Sequence, residues 1–336
     1  MRFRWSLLSL FSLLVLGVAL GACSACGPQP VDRPQWNKSF NAETTGWLLS
    51  VAGASPQDVW AVGGSPDDGV VVHYDGQSWQ PEPIPDEVPL VNWVHVLPNG
   101  TPVMACNDGM IMWRQGGEWR TRSTPTDQDL WGVWGESLDN LWAVGGSGRE
   151  TGEAVIVRNE SGAWEKVDVP SLERPGVRAF FKVWGTSPEN LYIVGQNGVM
   201  LHWDGSSLEE TGVGVSVDLI SLWGTGPDDI TVVGGRSNGV VAHWDGNDWR
   251  SKSLAPTPGL NGVWMDEPGE AWAVGVSGTA VNIDTETLEA TVRTTPTNLE
   301  LHGAWGLSDE MVWAVGGSLG RPAPFEGVML QYPLEE

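Results

Sequence analysis

The chain has 336 residues, 41% apolar and 18% charged, which gives it the hydrophobic side chains to fold and places it outside the disordered class. Its 42 acidic residues against 18 basic ones leave a net charge of −24 and exclude nucleic acid as a partner, because phosphate binding needs a basic stripe. Three cysteines exclude a disulfide scaffold, while 21 tryptophans beside 3 tyrosines and 6 phenylalanines demand a cause. At the start, Arg2 and Arg4 precede an uncharged, leucine-rich run from Trp5 to Ala22, the order of an export signal. The alternative for its 18 residues is a membrane-spanning helix. Residues 24–34 carry three prolines and no hydrophobic period, and read as an extended tether.

Leu20-Gly21-Ala22-Cys23 resembles the lipobox of bacterial lipoproteins. That resemblance implies a signal peptide over 1–22, lipidation (palmitate) of Cys23 as the first mature residue and a lipidated tether over 23–34. Ser24 is similar to the outer-membrane sorting class, so the expected location is the outer membrane, on its periplasmic side or at the cell surface. Removing 1–22 takes away two arginines and no acid, leaving 16 basic against 42 acidic residues, a charge of −26. Lipid rather than charge must then hold the body at an anionic membrane.

From residue 35 onward one cluster recurs seven times. Its first segment reads LLSVAG (48–53), VNWVHV (91–96), LWGVWG (130–135), FKVWG (181–185), ISLWG (220–224), LNGVWM (260–265) and LHGAWG (301–306). A second segment of the VWAVGG type follows, then a third of the VVVHYDG type and a short fourth anchored by Trp79, Trp119, Trp164 and Trp249. The second-segment anchors Val62, Ala105, Val144, Val194, Val233, Val274 and Val315 are spaced 43, 39, 50, 39, 41 and 41 residues apart. Four short strands per ~40 residues is the signature of a propeller blade. The fold class is therefore all-β, a seven-bladed β-propeller over 35–336 in place of the two domains that length suggests. The last repeat stops after its third strand at Tyr332, and the segment from Trp36 to Phe40 should supply the fourth, closing the ring with an N-terminal strand. Trp134, Trp184, Trp223, Trp264 and Trp305 form one repeat position, and Trp60, Trp142, Trp272 and Trp313 another. Packing in the wedge between blades accounts for them. Asp-Gly pairs at 75–76, 204–205 and 245–246 mark hairpins between third and fourth strands.

The unit W-G-x-S-x-x-D-x-W-A-V-G followed by G-V-x-x-H-W-D-G-x-x-W resembles bacterial lipoprotein β-propellers with BNR or Asp-box-like and tectonin-like repeats. It departs from an Asp-box where Val72 stands in the tryptophan position, and from WD40 repeats in lacking a Gly-His partner dipeptide. The tectonin likeness implies carbohydrate binding.

His73, His202 and His243 occupy one strand position in different blades, too far apart to converge on a metal, and read as polar contacts inside blades. Asp58, Asp139, Glu189, Asp229 and Glu270 read as turn caps rather than calcium ligands, so no cofactor is expected. Tyr74, Tyr192 and Tyr332 all fill repeat positions, which leaves no spare tyrosine nucleophile for a sialidase-like hydrolase. Neither Cys26 nor Cys106 looks reactive, and the chain is read as non-enzymatic.

Loop length varies on the face that carries the 2–3 and 4–1 connections, at 146–152, 170–179 and 317–327. Arg149, Arg174, Arg178, Phe180, Arg321 and Phe325 gather there as the candidate binding face. The expected function is a monomeric, lipid-anchored scaffold or adhesion module for an envelope or surface protein. A glycan-binding lectin is the alternative, and a propeller hydrolase a third.

Overall fold

Short apolar runs punctuated by Gly, Asp and Ser can bury one face or both as strands but are too short for packed helices. The computed structural model describes residues 36–147, 152–308 and 311–333 and arranges these runs as seven four-stranded antiparallel sheets. The export-signal run, Cys23, the tether and Arg149 lie outside the described residues. Blade one consists of Trp47–Ser55, Asp58–Gly64, Gly69–Tyr74 and Trp79–Glu82. The first strands of blades two to seven are Val91–Val96, Leu130–Ser137, Phe180–Ser187, Leu219–Gly226, Leu260–Trp264 and Glu300–Ser308. Each packs on the first strand of the next blade, and Glu300–Ser308 packs on both Leu260–Trp264 and Trp47–Ser55, so the seven form an inner ring. Asn37–Phe40 lies antiparallel to Gly327–Tyr332 as the outer strand of the seventh sheet.

The tryptophan surplus has two structural causes. On first strands, Trp184, Trp264 and Trp305 each sit on a glycine of the following blade. A Cβ added to Gly224, Gly306 or Gly53 would come within 2.7, 2.8 and 2.7 Å of the Trp184, Trp264 and Trp305 rings. On second strands, the aromatic residue meets the outer aromatics of the following blade. Trp60 lies 5.7 Å from Trp119, Trp142 5.3 Å from Trp203 and Trp313 6.3 Å from Trp79, measured between ring centroids.

Second-strand rings also account for two of the three histidines, and a second-strand hydroxyl for the third. His73 stacks on Trp60 at 3.8 Å with Nε2 2.8 Å from Asp58 Oδ1. His202 stacks on Tyr192 at 4.3 Å with Nε2 2.7 Å from Asn190 Oδ1, and His243 Nδ1 lies 3.0 Å from Thr231 Oγ1. Each histidine is thus a polar contact within its own blade, and among the described residues no group of three or more His, Cys, Asp or Glu could hold a metal ion. Strand register corrects the acidic series. Asp58, Asn140, Asn190 and Asp229 are the equivalent residues, facing Ser55, Ser137, Ser187 and Gly226, while Asp139 and Glu189 stand one residue earlier. The Asp-Gly hairpins are four-residue loops held by the aspartate: Asp75 Oδ1 accepts the Gln77 and Ser78 N–H groups at 2.8 and 2.9 Å, and Asp204 Oδ1 accepts those of Ser206 and Ser207 at 2.8 Å.

Candidate functional site

Every first strand carries an irregularity at the same place. The pairing slips between Leu48 and Ser50, Val91 and Trp93, Leu130 and Gly132, Phe180 and Lys182, Leu219 and Ser221, Leu260 and Gly262, and Leu301 and Gly303. A β-bulge leaves one residue unpaired and re-aims its side chain. The bulged residues are Leu49, Asn92, Trp131, Phe181, Ile220, Asn261 and His302. The apolar anchor before them repeats from blade to blade; apart from the two asparagines, they do not.

Five of the seven line one hollow of about 290 Å³ at the end of the channel that faces the 2–3 and 4–1 loops: Trp131, Phe181, Ile220, Asn261 and His302. Gln196, Arg236 and Leu319 contribute from the 2–3 loops, Glu300 from the wall and Lys182 from below. Lys182 also lines the smaller space of about 80 Å³ deeper in the channel, together with His95, Trp134, Trp184, Trp223 and Trp305. It therefore stands between the two. The residues two places after the first-strand anchor are small in five blades (Ser50, Gly132, Ser221, Gly262, Gly303), and only Trp93 and Lys182 are large. Gly132, in the blade between them, would put a Cβ 3.1 Å from the Lys182 Cα, so the glycine leaves the path open. The Lys182 ammonium reaches across it to lie 3.3 Å from the centre of the Trp93 ring, and donates to Trp131 O at 3.3 Å.

The electrostatics of this hollow differ from those of the rest of an acidic protein. Lys182 is 2% exposed, and burial lowers its pKa well below the usual lysine range. No carboxylate forms an ion pair with it among the described residues. His302 Nδ1 carries its proton, 2.8 Å from Leu49 O, and burial assisted by the Lys182 charge holds its pKa at about 4. Glu300 accepts from Asn261 Nδ2 at 2.9 Å, and burial raises its carboxyl. Arg236 lies over the Phe181 ring at 5.3 Å and donates from Nε to Asp218 at 2.9 Å.

The expected binding-face residues are placed differently from one another. Phe180 is fully buried, occupying the core position that leucine holds in most blades, so it is not an exposed aromatic; the next residue, Phe181, is the one that reaches the hollow. Arg174 is a strut, its Nη1 donating to Asn197 O and, at 2.7 Å, to Val215 O. Arg178 is partly buried and fixes the rim through its backbone, whose N–H donates to Gln196 Oε1 at 2.8 Å. Phe325 packs on Trp47 at 4.6 Å, while Arg321 is exposed. The expectation missed Trp131, Phe181, Lys182, Arg236, Asn261 and His302, although the failure of the residue after each first-strand anchor to repeat was visible in the sequence.

Other sites offer less chemistry. A hollow of about 570 Å³ between the edges of blades six and seven has Lys38 as the single cation in its lining, already paired with Glu43 at 3.3 Å. Cys106 is buried, and burial raises its thiol pKa. Tyr74 and Tyr332 pack at blade interfaces against Trp313 and Trp272.

No family profile matches the sequence, and no curated protein matches it. Solved structures do resemble the fold. A structure of YCF48 bound to D1 peptide superposes with a TM-score of 0.64 at 15% identity, covering 91% of this chain and 99% of that one. The WD40 β-propeller domain of Doa1 gives 0.68 at 10% identity, covering 90% and 98%, and YCF48 from Cyanidioschyzon merolae gives 0.65 at 12%, covering 89% and 98%. At these identities the likeness concerns the fold: the chain is a seven-bladed β-propeller.

Proposed function

We propose that the chain is a lipid-anchored envelope propeller that captures an extended segment of another envelope protein at the channel mouth, without catalysing a reaction. The observation that carries this reading is the set of seven bulged positions, five of which bring dissimilar side chains to one hollow. A binding surface needs asymmetry, and this is where a repetitive ring acquires it. A propeller of similar fold has been solved with a peptide bound, which supports the reading by analogy. Cys23 would carry the lipid, and Ser24 favours the outer membrane as its location.

A photoreactive residue placed at Ile220 in the anchored chain should cross-link one envelope protein, and the same residue at Asp204, on the opposite face, should not. Equal capture from both positions, or none from Ile220, rejects the assignment. A lectin reading draws on Trp131 and Phe181, whose ring faces could stack on a sugar beside the Asn261 amide. Glycan-array binding that free sugar abolishes would favour it.

A further inference from the structure

We propose that Lys182 is the anchor of a carboxylate-binding subsite at the floor of the channel mouth, and that the captured segment enters it with a carboxylate, from a chain end or from an acidic side chain. The proposal rests on the peptide-capture reading and names the chemistry that would dominate it.

An ammonium has three donor hydrogens. The hollow accounts for one, donated to Trp131 O, while the Trp93 ring supplies a diffuse negative face and no proton acceptor of comparable strength. Buried amines elsewhere in proteins are paired, neutralised or functional, since an isolated buried charge is costly. Here the side chain is 2% exposed in a protein with 42 acidic residues, yet none of the ion pairs among the described residues uses it. Simple packing would have been served by glycine or serine, which fill this position in five other blades.

The lining argues for a monoanion. A phosphate would bring about two charges into a hollow that has one buried ammonium, a guanidinium already bonded to Asp218 and the Glu300 carboxyl on its wall. A carboxylate balances one ammonium and favours the charged form that burial disfavours in the empty hollow, and their pairing is a charge-assisted hydrogen bond. The remaining surface suits a short peptide: Trp131, Phe181 and Ile220 offer apolar area, and Asn261 offers Oδ1 and Gln196 offers Nε2, their other amide atoms being bonded within the ring. The Lys182–Trp93 contact closes the hollow below, so an entering group stops at the ammonium.

Three pools of fluorescent random hexapeptides test this by binding to the full chain: pool one lacks Asp and Glu and ends in a free carboxylate, pool two is the same set as C-terminal amides, and pool three is amides with one Asp or Glu. Pool one or pool three should bind about tenfold or more tightly than pool two. The stronger pool identifies the source of the carboxylate, chain end or side chain. In Lys182→Met and Lys182→Gln, that preference should fall below about twofold. Equal binding of all three pools by the unaltered chain overturns the subsite while leaving peptide capture in place, and needs no variant to fold. A carboxylate preference that survives both substitutions in folded protein also overturns it. Failure of every pool to bind rejects peptide capture, and the subsite with it.

Discussion

The two ends of the channel are built on the same seven strands and differ in what repeats. Deep in the channel, Trp134, Trp184, Trp223, Trp264 and Trp305 recur, each on the first strand of its blade. His95 holds that place in blade two and donates from Nε2 to Gly135 O at 2.8 Å; Trp223 Nε1 donates to Met265 O of the next blade at 3.1 Å in the same manner. At the mouth, three residues nearer the strand start, Asn92, Trp131, Phe181, Ile220, Asn261 and His302 share a backbone position, and apart from the two asparagines, which both donate to the next blade, they share little chemistry. Seven equal wedges need seven equal contacts, so identity between blades marks what holds the ring together. Difference between blades has no such cause, and at the mouth it collects around one buried lysine.

Substitution should separate the two ends by stability. Trp264 is 3% exposed and seated on Gly306, so Trp264→Ala should cost about 3–5 kcal/mol, read as a lower urea midpoint. Phe181→Ala, at the partly open mouth, should cost about 1 kcal/mol and reduce binding instead. Equal losses of stability would erase the distinction.

Acid should sharpen the comparison, because each end contains one histidine whose pKa burial lowers to about 4: His95 in the deep channel and His302 at the mouth. An unfolded histidine titrates near ~6.5. Between those values the unfolded chain binds more protons than the folded one, so stability decreases as pH falls from about 6.5 to 4 and levels below. Each ring accounts for up to about 3 kcal/mol. His95→Gln and His302→Gln should each remove part of that slope in denaturation series; a profile flat across the window would show both rings to be solvated.

The fold was legible because its causes are periodic. Repeat length, Gly and Asp punctuation and recurrent tryptophans yielded seven blades and assigned the residue 36–40 segment to the last one, where Asn37–Phe40 pairs with Gly327–Tyr332. The mouth was harder to read because a bulge breaks the two-residue alternation that assigns side chains to faces. With strict alternation Phe180 and Phe181 are assigned from loop length and local pattern alone, and the one-residue slip between Phe180 and Lys182 decides which of them reaches the hollow. Loop length is no guide to the hollow either, because Gln196 and Arg236 line it from short 2–3 turns. The acidic series lies one residue off in blades three and four, where Asn140 and Asn190 hold the register position of Asp58, and Asn190 pairs with His202 as Asp58 does with His73, without the charge.

Lys182→Met probes the comparison from the other side. A residue kept for packing loses stability when replaced, whereas one kept for a ligand is a strain on the empty protein. Removing a buried, unpaired amine should leave stability unchanged or raise it by about 1 kcal/mol, while the carboxylate preference disappears. A loss of more than about 2 kcal/mol would mean that the Trp93–Lys182 contact belongs with the repeated tryptophans as part of the frame.

Arg321 should give the smallest effect and the finest distinction. It is exposed on the same loop as Leu319, which lines the hollow, so its charge acts on an approaching ligand through water. Arg321→Ala should change stability by less than about 0.5 kcal/mol. Rim charges steer encounters while buried ones hold the complex. Its effect should therefore be a roughly twofold slower association of acidic peptide at low salt, vanishing near ~0.5 M salt, with dissociation unchanged. Lys182→Met should do the reverse, accelerating dissociation with little salt dependence. If Arg321→Ala speeds dissociation as much as Lys182→Met does, the ligand sits on the loops above the mouth, and the seven bulges shape the ring without forming its binding site.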